Sequence, residues 1–226
     1  MENQLATWPH ISVILLTVVI TYYGLEKLKT DRPYWIGVVV LAPVPFLFLM
    51  NSLPPLVFGK EGVIEAITEG LLLWIVVKAI AIRQPWMILG ALFILLEEID
   101  YGQLFFSMPT PDWLLEIPEN RSQTINFHNI SNFYLLWTLV PIAAIVALSF
   151  DRVHQKFSGF NLPRFQHATW QGLLFTAIFH EVFTKLTSVS ADSYLSVATN
   201  ELYEWTLIAI VSLGWLAQKN ASSSTE

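Results

Sequence analysis

Long apolar runs recur along almost the whole chain and are separated by short polar connections. Each run is about twenty residues long, the length that an α-helix needs to cross the apolar part of a bilayer. The pattern therefore predicts an all-α fold, an integral membrane bundle of seven transmembrane helices in a single domain, residues 1–217, followed by a disordered cytoplasmic tail at 218–226. The predicted helices lie at about 9–28, 34–53, 62–82, 85–106, 131–150, 165–186 and 197–217.

Positive charges are distributed unevenly between alternate connections. Lys and Arg accumulate in the cytoplasmic loops of membrane proteins. When the N-terminus is placed outside, only Lys60, Arg121 and Lys185 of the 12 Lys and Arg residues fall on the outer side. The expected topology is N-out and C-in, and the expected location is the cell membrane, with a bacterial inner membrane as the typical case.

The composition agrees with lipid as the surrounding solvent. Hydrophobic residues make up 54% of the chain and charged residues only 13%, against about 25% charged residues in soluble domains. The absence of cysteine excludes disulfides, thiolate metal ligands and a cysteine nucleophile. The net charge of −6 argues against nucleic acid as a partner. The expected partner is the lipid bilayer, and the sequence names no protein partner.

Acidic residues inside the apolar runs gather toward one predicted side of the membrane. A carboxylate in a poorly hydrated site is so unfavourable that it pairs, takes up a proton or binds a cation. Only Lys185 and His180 accompany eight acids at this depth, so protons or divalent cations must balance the charge. The eight acids are Glu65, Glu69, Glu97, Glu98, Asp100, Glu181, Glu201 and Glu204.

This mixture of carboxylates and imidazoles is the donor set that zinc, manganese or iron prefers. A divalent metal of this kind is the expected cofactor, and the expected ligands are Glu65, Glu69, His180 and Glu204. Beside a metal-bound water, catalytic groups would take and give protons. The expected catalytic groups are Glu98, Asp100 and His128, and further residues expected to line the site are Glu97, Gln103, Asn126, Asn129 and Glu201.

Local motifs leave simpler interpretations open. A zincin helix needs a second histidine four residues after the first, but Thr184 stands there after His180. The spacing of Glu181 and Lys185 predicts an intrahelical ion pair. His128, which lies beside two asparagines, fits a loop held by hydrogen bonds as well as it fits a catalytic role.

One segment carries a resemblance to a known family. Residues 97–103, Glu-Glu-Ile-Asp-Tyr-Gly-Gln, and residues 126–129, Asn-Phe-His-Asn, resemble a family of uncharacterised bacterial multi-pass membrane proteins with the pattern Glu-Glu-Ile-Ser-Trp-Gly-Gln and then Asn-Leu-His-Asn. Asp100 and Tyr101 depart from the serine and tryptophan of that pattern. The resemblance implies a site at these residues but no particular activity.

A looser likeness exists to seven-span, metal-dependent lipid hydrolases of the ceramidase class. It implies a lipid substrate, although the multiple-histidine zinc pattern of that class is not matched here. Together these features predict a membrane-embedded, metal-dependent enzyme, a hydrolase of a lipid or a small membrane-soluble substrate. The alternatives are a proton- or cation-coupled transporter and a noncatalytic subunit of a membrane complex. A transporter typically has a midplane site and inverted repeats, and the sequence displays neither.

Overall fold

The computed structural model describes residues 62–106, 108–117, 125, 131–187 and 194–223, together with Ser12 and Leu15. Within these residues every regular element is helical. The predicted helices at about 9–28 and 34–53 lie outside the described residues, apart from Ser12 and Leu15. The α-helices are α1 (Val63–Ala81), α2 (Pro85–Glu98), α3 (Gln103–Phe106), α4 (Asp112–Leu115), α5 (Ser131–Ala147), α6 (Asp151–Lys156), α7 (His167–Thr187) and α8 (Tyr194–Ser223).

The long helices pack side by side in an order that differs from their order in the chain. α1 packs against both α2 and α8, while α7 packs against both α8 and α5. The spatial sequence is therefore α2, α1, α8, α7 and α5. As a result, α8, the last helix of the chain, lies between the first described helix and α7.

A single apolar core runs through these helices. α1 contributes the largest share of it, and its Trp74 is completely buried. α2 adds Met87, α5 adds Ile142, α7 adds Leu173 and α8 adds Ile210. Full burial of one such side chain stabilises a fold by about 1.5–3 kcal/mol, so this shared core holds the helices in register and positions the polar groups near their ends.

The turn between α1 and α2 reverses the chain within three residues. The backbone N–H of Gln84 donates to the carbonyl of Ala79 at 2.8 Å, and Arg83 has a left-handed backbone with φ of 55°. Both features are typical of the end of a helix. Pro85 then occupies the first turn of α2, where its missing N–H costs nothing. This turn lays α2 antiparallel along α1.

α2 ends earlier than the apolar pattern predicts. A continuous helix was expected at about 85–106, but α2 ends at Glu98 and a 3-10 turn at Asp100–Gly102 separates it from α3. Asp100 and Tyr101 have φ of 47° and 53°, a conformation that cannot continue a helix. The sequence signal for this break is the Asp-Tyr-Gly segment, because Asp and Gly favour turns.

The prediction of a seven-span membrane bundle, N-out and C-in, is wrong. Among the described residues, none of the helices is both long enough and apolar enough to cross a membrane. α1 has 19 residues, but Glu65, Glu69 and Lys78 lie within it. α2 has only 14 residues and spans about 21 Å, against about 30 Å for the apolar part of a bilayer. The prediction was wrong because it relied on the length of the apolar runs. Charged residues and helix breaks inside these runs leave the helices too polar or too short to span a bilayer.

The last helix also differs from its prediction. α8 continues to Ser223, through most of the segment that was expected to be a disordered tail. Residues 218–223 contain neither Gly nor Pro, and Gln, Lys and Ala are good helix formers. Residues 218–223 therefore contain no residue that would end α8 at position 217.

A close approach of α7 and α8 at Gly214 generates the first testable prediction. A Cβ atom added to Gly214 would lie 2.7 Å from Cγ2 and 2.9 Å from Cβ of the buried Thr169. We expect Gly214→Ala to lower the free energy of unfolding by about 1–3 kcal/mol, because the crowded helices must move apart.

Gly90 in α2 provides the matched control, since nothing lies within 4 Å of a Cβ atom added there. Gly90→Ala is expected to raise the free energy of unfolding by about 0.5–1 kcal/mol through the higher helix propensity of alanine. Chemical denaturation of both variants measures the two effects. Equal effects of the same sign at the two positions would contradict the close packing of α7 on α8.

Candidate functional site

Five acidic side chains from three helices and one turn meet at one end of the fold. α1 provides Glu65 and Glu69, α2 ends with Glu98, Asp100 lies in the turn that follows, and α8 provides Glu204. The negative charges of the other four all act on the carboxyl group of Glu98. We call these five residues the carboxylate cluster.

The burial of the cluster follows from helix geometry and from the central position of α1. Glu65 and Glu69 lie four residues apart and so share one face of α1. Glu69 is completely buried, and Glu65 and Asp100 are buried as well. Glu98 and Glu204 remain partly accessible. The cluster is therefore poorly hydrated, and Glu98 and Glu204 are its more accessible members.

These surroundings favour the protonated form of Glu98. The pKa of its carboxyl group is raised well above the ordinary value of 4.5, first by removal from water and then by the charges of Glu204, Glu65, Glu69 and Asp100. Burial and nearby like charges both penalise the ionised form. Glu98 consequently keeps a proton at pH values at which an exposed glutamic acid has lost it.

Glu97, the neighbour of Glu98, has a different environment. It is completely buried, and its Oε1 atom accepts a hydrogen bond from the hydroxyl group of Tyr101. The pKa of Tyr101 is raised by burial, by this hydrogen bond and by the charge of Glu97, so the phenol remains a donor. Adjacent positions on α2 thus hold one hydrogen-bonded acid and one acid crowded by other carboxyl groups.

The left-handed turn brings Tyr101 into this position. Non-glycine residues with positive φ cost of the order of 1–3 kcal/mol each and persist where the surroundings hold them in place. Here two of them, Asp100 and Tyr101, are consecutive. The turn folds the chain back at the end of α2, so that the phenol meets Glu97 and the carboxyl group of Asp100 stays near Glu98.

Gln103 fixes the connection that follows the turn. Its Nε2 atom donates to Oγ1 of Thr110 at 2.8 Å, and its Oε1 atom accepts from the backbone N–H of Ile125 at 3.2 Å. One amide side chain therefore holds two distant parts of the connection. The role of Gln103 is to position this segment beside the cluster.

His180 belongs to a second polar group, between α7 and α8. Its Nε2 atom lies 3.1 Å from Oδ1 of Asn200, and its ring stacks on Tyr203 with 4.3 Å between the ring centroids. Burial lowers the pKa of His180, while the hydrogen bond to Asn200 and the charge of Glu181 act in the opposite direction. Burial, the largest of these effects, thus favours the neutral imidazole.

The metal-binding prediction requires a correction. Across the described ranges, no group of three or more His, Asp or Glu side chains has an arrangement that could hold a metal ion. His180, one of the four expected ligands, contacts Asn200 and Tyr203. The other three, Glu65, Glu69 and Glu204, surround Glu98. Three of the four expected ligands therefore belong to the carboxylate cluster, and His180 belongs to the polar group between α7 and α8.

The other residues predicted from the sequence fall partly outside the described residues and partly on α7 and α8. Asn126, His128 and Asn129 lie outside the described residues, so their role stays a prediction. Glu201 is partly buried on α8 but is not among the charges that act on Glu98. The predicted ion pair between Glu181 and Lys185 is confirmed, at 3.7 Å on the exposed side of α7.

Sequence reasoning missed three residues that shape these polar groups, Tyr101, Asn200 and Tyr203. The spacing of Glu97 and Tyr101 was a usable signal, since residues four apart meet on a helical turn. No such local signal joins His180 to α8, because that contact depends on how α7 and α8 pack.

The raised pKa of Glu98 predicts a characteristic pH dependence of stability. Because the folded state binds this proton more tightly than the unfolded state, stability falls as pH rises above 4.5 toward the folded pKa. Glu98→Gln should remove part of this fall, so its unfolding free energy relative to wild type should be higher at pH 8 than at pH 5. Glu204→Gln should weaken the fall by removing one repelling charge. Denaturant titrations at both pH values test this, and an unchanged slope in Glu98→Gln would contradict it.

The hydrogen bond between Tyr101 and Glu97 leads to another prediction. Tyr101→Phe should lower the free energy of unfolding by about 1–3 kcal/mol, because the buried acid loses a donor. In a Glu97→Gln background the same change should cost less, since a neutral acceptor makes a weaker hydrogen bond. A double-mutant cycle measures the difference, and an equal cost in both backgrounds would show that the phenol acts through other contacts.

Comparison with known proteins adds no relative. No family model, no curated protein and no solved structure matches this chain. The resemblance at residues 97–103 and 126–129 therefore stays a prediction. What the chain does has to be argued from the carboxylate cluster and its surroundings.

Proposed function

We propose that this chain is an acid–base enzyme that hydrolyses a lipid or another apolar small molecule at the carboxylate cluster. The single observation that carries the proposal is the crowding of four carboxyl groups around Glu98, which raises its pKa. Acids with strongly raised pKa values are typical of sites where protons are transferred during a reaction. Two chemical roles follow from this arrangement.

Glu98 is the proposed general acid. Because its pKa is raised well above the ordinary value, it has a proton to give to a leaving group. Such proton transfer contributes about 10²–10⁴-fold to a rate. The partly accessible position of Glu98 lets a substrate approach it.

Asp100 is the proposed general base. It lies two residues from Glu98 in a turn whose positive φ angles hold it beside the cluster. In the hydrolysis of an ester or amide, Asp100 would take a proton from water as the water oxygen bonds to the acyl carbon. Glu98 would give its proton to the departing oxygen or nitrogen as the acyl bond breaks. One water is consumed, and the two carboxyl groups exchange protonation states.

Exposed apolar side chains on α2 and α3, the helices before and after the turn at Asp100, support an apolar substrate. Leu92 on α2 and Phe106 on α3 are exposed on either side of Glu98 in the chain. Apolar surface near convergent polar groups is typical of small-molecule sites. An acyl chain could lie on this surface while its ester or amide group reaches the carboxylate cluster.

The test uses vesicles of phosphatidylcholine that contain a labelled phosphatidylglycerol and, in a second arm, a labelled ceramide. Mass spectrometry would follow the release of fatty acid, from an ester in the first arm and from an amide in the second. Wild type is expected to release fatty acid in at least one arm. Glu98→Gln should lower the rate by about 10²–10⁴-fold.

Glu181→Gln serves as the matched control, because Glu181 is exposed on α7 and pairs with Lys185. It should release fatty acid at the wild-type rate. Fatty acid release that is unaffected by Glu98→Gln would contradict the role of the cluster. No release in either arm by folded wild-type protein would overturn the hydrolase and favour a noncatalytic subunit.

A further inference from the structure

A second surface of unusual composition lies at the end of the fold away from the carboxylate cluster. Glu65 and Glu69 lie in the first half of α1, whereas Arg83 follows its last turn. On α2, Trp86 precedes Glu98 by 12 residues, which corresponds to about 18 Å along a helix. We call this second region the basic aromatic surface. Its residues are Arg83, Trp86, Arg152, Lys156, Phe157 and Phe160.

Specific contacts join the two chain segments of this surface. The indole N–H of Trp86 donates to the carbonyl of Phe160 at 2.8 Å. Asn161 donates through Nδ2 to the carbonyl of Arg83 at 3.1 Å, and its Oδ1 atom accepts from Nε2 of Gln84 at 3.1 Å. The turn between α1 and α2 is thereby tied to the segment after α6, so the residues of both form one surface.

The charge of this surface is opposite to that of the chain as a whole. The chain has a net charge of −6. Around the basic aromatic surface, however, residues 83–86 and 150–167 contain four Lys and Arg residues and one acid, Asp151. That acid lies 3.9 Å from Arg164, which leaves the other cations to face outward. Charge is thus segregated along the helices.

Aromatic rings stand among these cations and are exposed to solvent. Trp86 is 46% exposed and Phe160 is 57% exposed. The rings of Phe157 and Phe160 pack edge to face at 6.2 Å, and the ammonium group of Lys156 lies 5.8 Å from the centroid of Phe157. Aromatic side chains next to basic residues favour the boundary between lipid headgroups and acyl chains.

We propose that the basic aromatic surface docks the protein on the surface of an anionic phospholipid bilayer. The cations would face the headgroup phosphates, and the exposed rings would enter the headgroup layer. The apolar face of α2 supports lipid over nucleic acid, because Trp86, Leu89 and Phe93 recur at helical spacing and are all exposed. Such an apolar stripe offers acyl chains a surface but offers the phosphates of a polyanion no partner.

The experiment measures flotation of the full chain with vesicles of phosphatidylcholine alone or with added phosphatidylglycerol. Binding should increase with phosphatidylglycerol and weaken when salt is raised above about 0.1 M, because salt screens exposed charges. Arg152→Glu combined with Lys156→Glu should lower binding by more than about tenfold. Phe157→Ser combined with Phe160→Ser should also lower it, through loss of the inserted rings.

Lys185→Glu is the matched control, since Lys185 is an exposed cation near the other end of α7 and its change should leave binding within about twofold of wild type. Circular dichroism would establish that each variant is folded. Equal binding to both vesicle types, or binding that both double variants retain, would overturn the proposal. So would tight binding to an RNA oligonucleotide without binding to anionic vesicles.

This proposal is independent of the proposed enzyme activity. Glu98→Gln should bind vesicles as wild type does, because the carboxylate cluster lies away from the basic aromatic surface. Vesicle binding without fatty acid release would leave the docking surface intact and reject the hydrolase. Fatty acid release from ceramide without binding to anionic vesicles would leave the hydrolase intact and reject the docking surface.

Discussion

Repulsion between buried carboxyl groups is the constraint on which the interpretation of this protein depends. Gathering Glu65, Glu69, Asp100 and Glu204 around Glu98 costs free energy, because each negative charge penalises the ionised form of the Glu98 carboxyl group. The apolar core shared by α1, α2 and α8 must supply that free energy. Packing of the helices keeps these acids close together despite their repulsion. Protonation of Glu98 lowers that repulsion, because it removes one negative charge from the cluster.

The sequence predicted the acids of the carboxylate cluster but did not predict the fold that brings them together. Charged residues inside apolar runs pointed to Glu65, Glu69, Glu98 and Glu204, because burial of such residues is expensive in any environment. The same runs suggested membrane spans, and here the inference failed. Run length does not reveal where a helix breaks, and the break after Glu98 depends on backbone angles that only the folded chain displays.

The position of His180 shows a similar limit. Histidine is a common metal ligand, and the sequence therefore suggested that role for His180. The packing of α7 on α8 instead places Asn200 within hydrogen-bond distance of its Nε2 atom and Tyr203 against its ring. The two ends of the fold nevertheless follow from the sequence in simple terms. Acids lie toward one end of α1 and α2 and bases toward the other, so the antiparallel turn at Arg83 places negative charge at one end of this helix pair and positive charge at the other.

The left-handed turn at Asp100 and Tyr101 also limits which sequence changes this segment can tolerate during evolution. Glu97 and Tyr101 meet because four positions separate them across the break. One inserted or deleted residue there would move the phenol away from Glu97 and carry Asp100 off with it. The length of the turn is therefore constrained, and so are the side chains at positions 100 and 101.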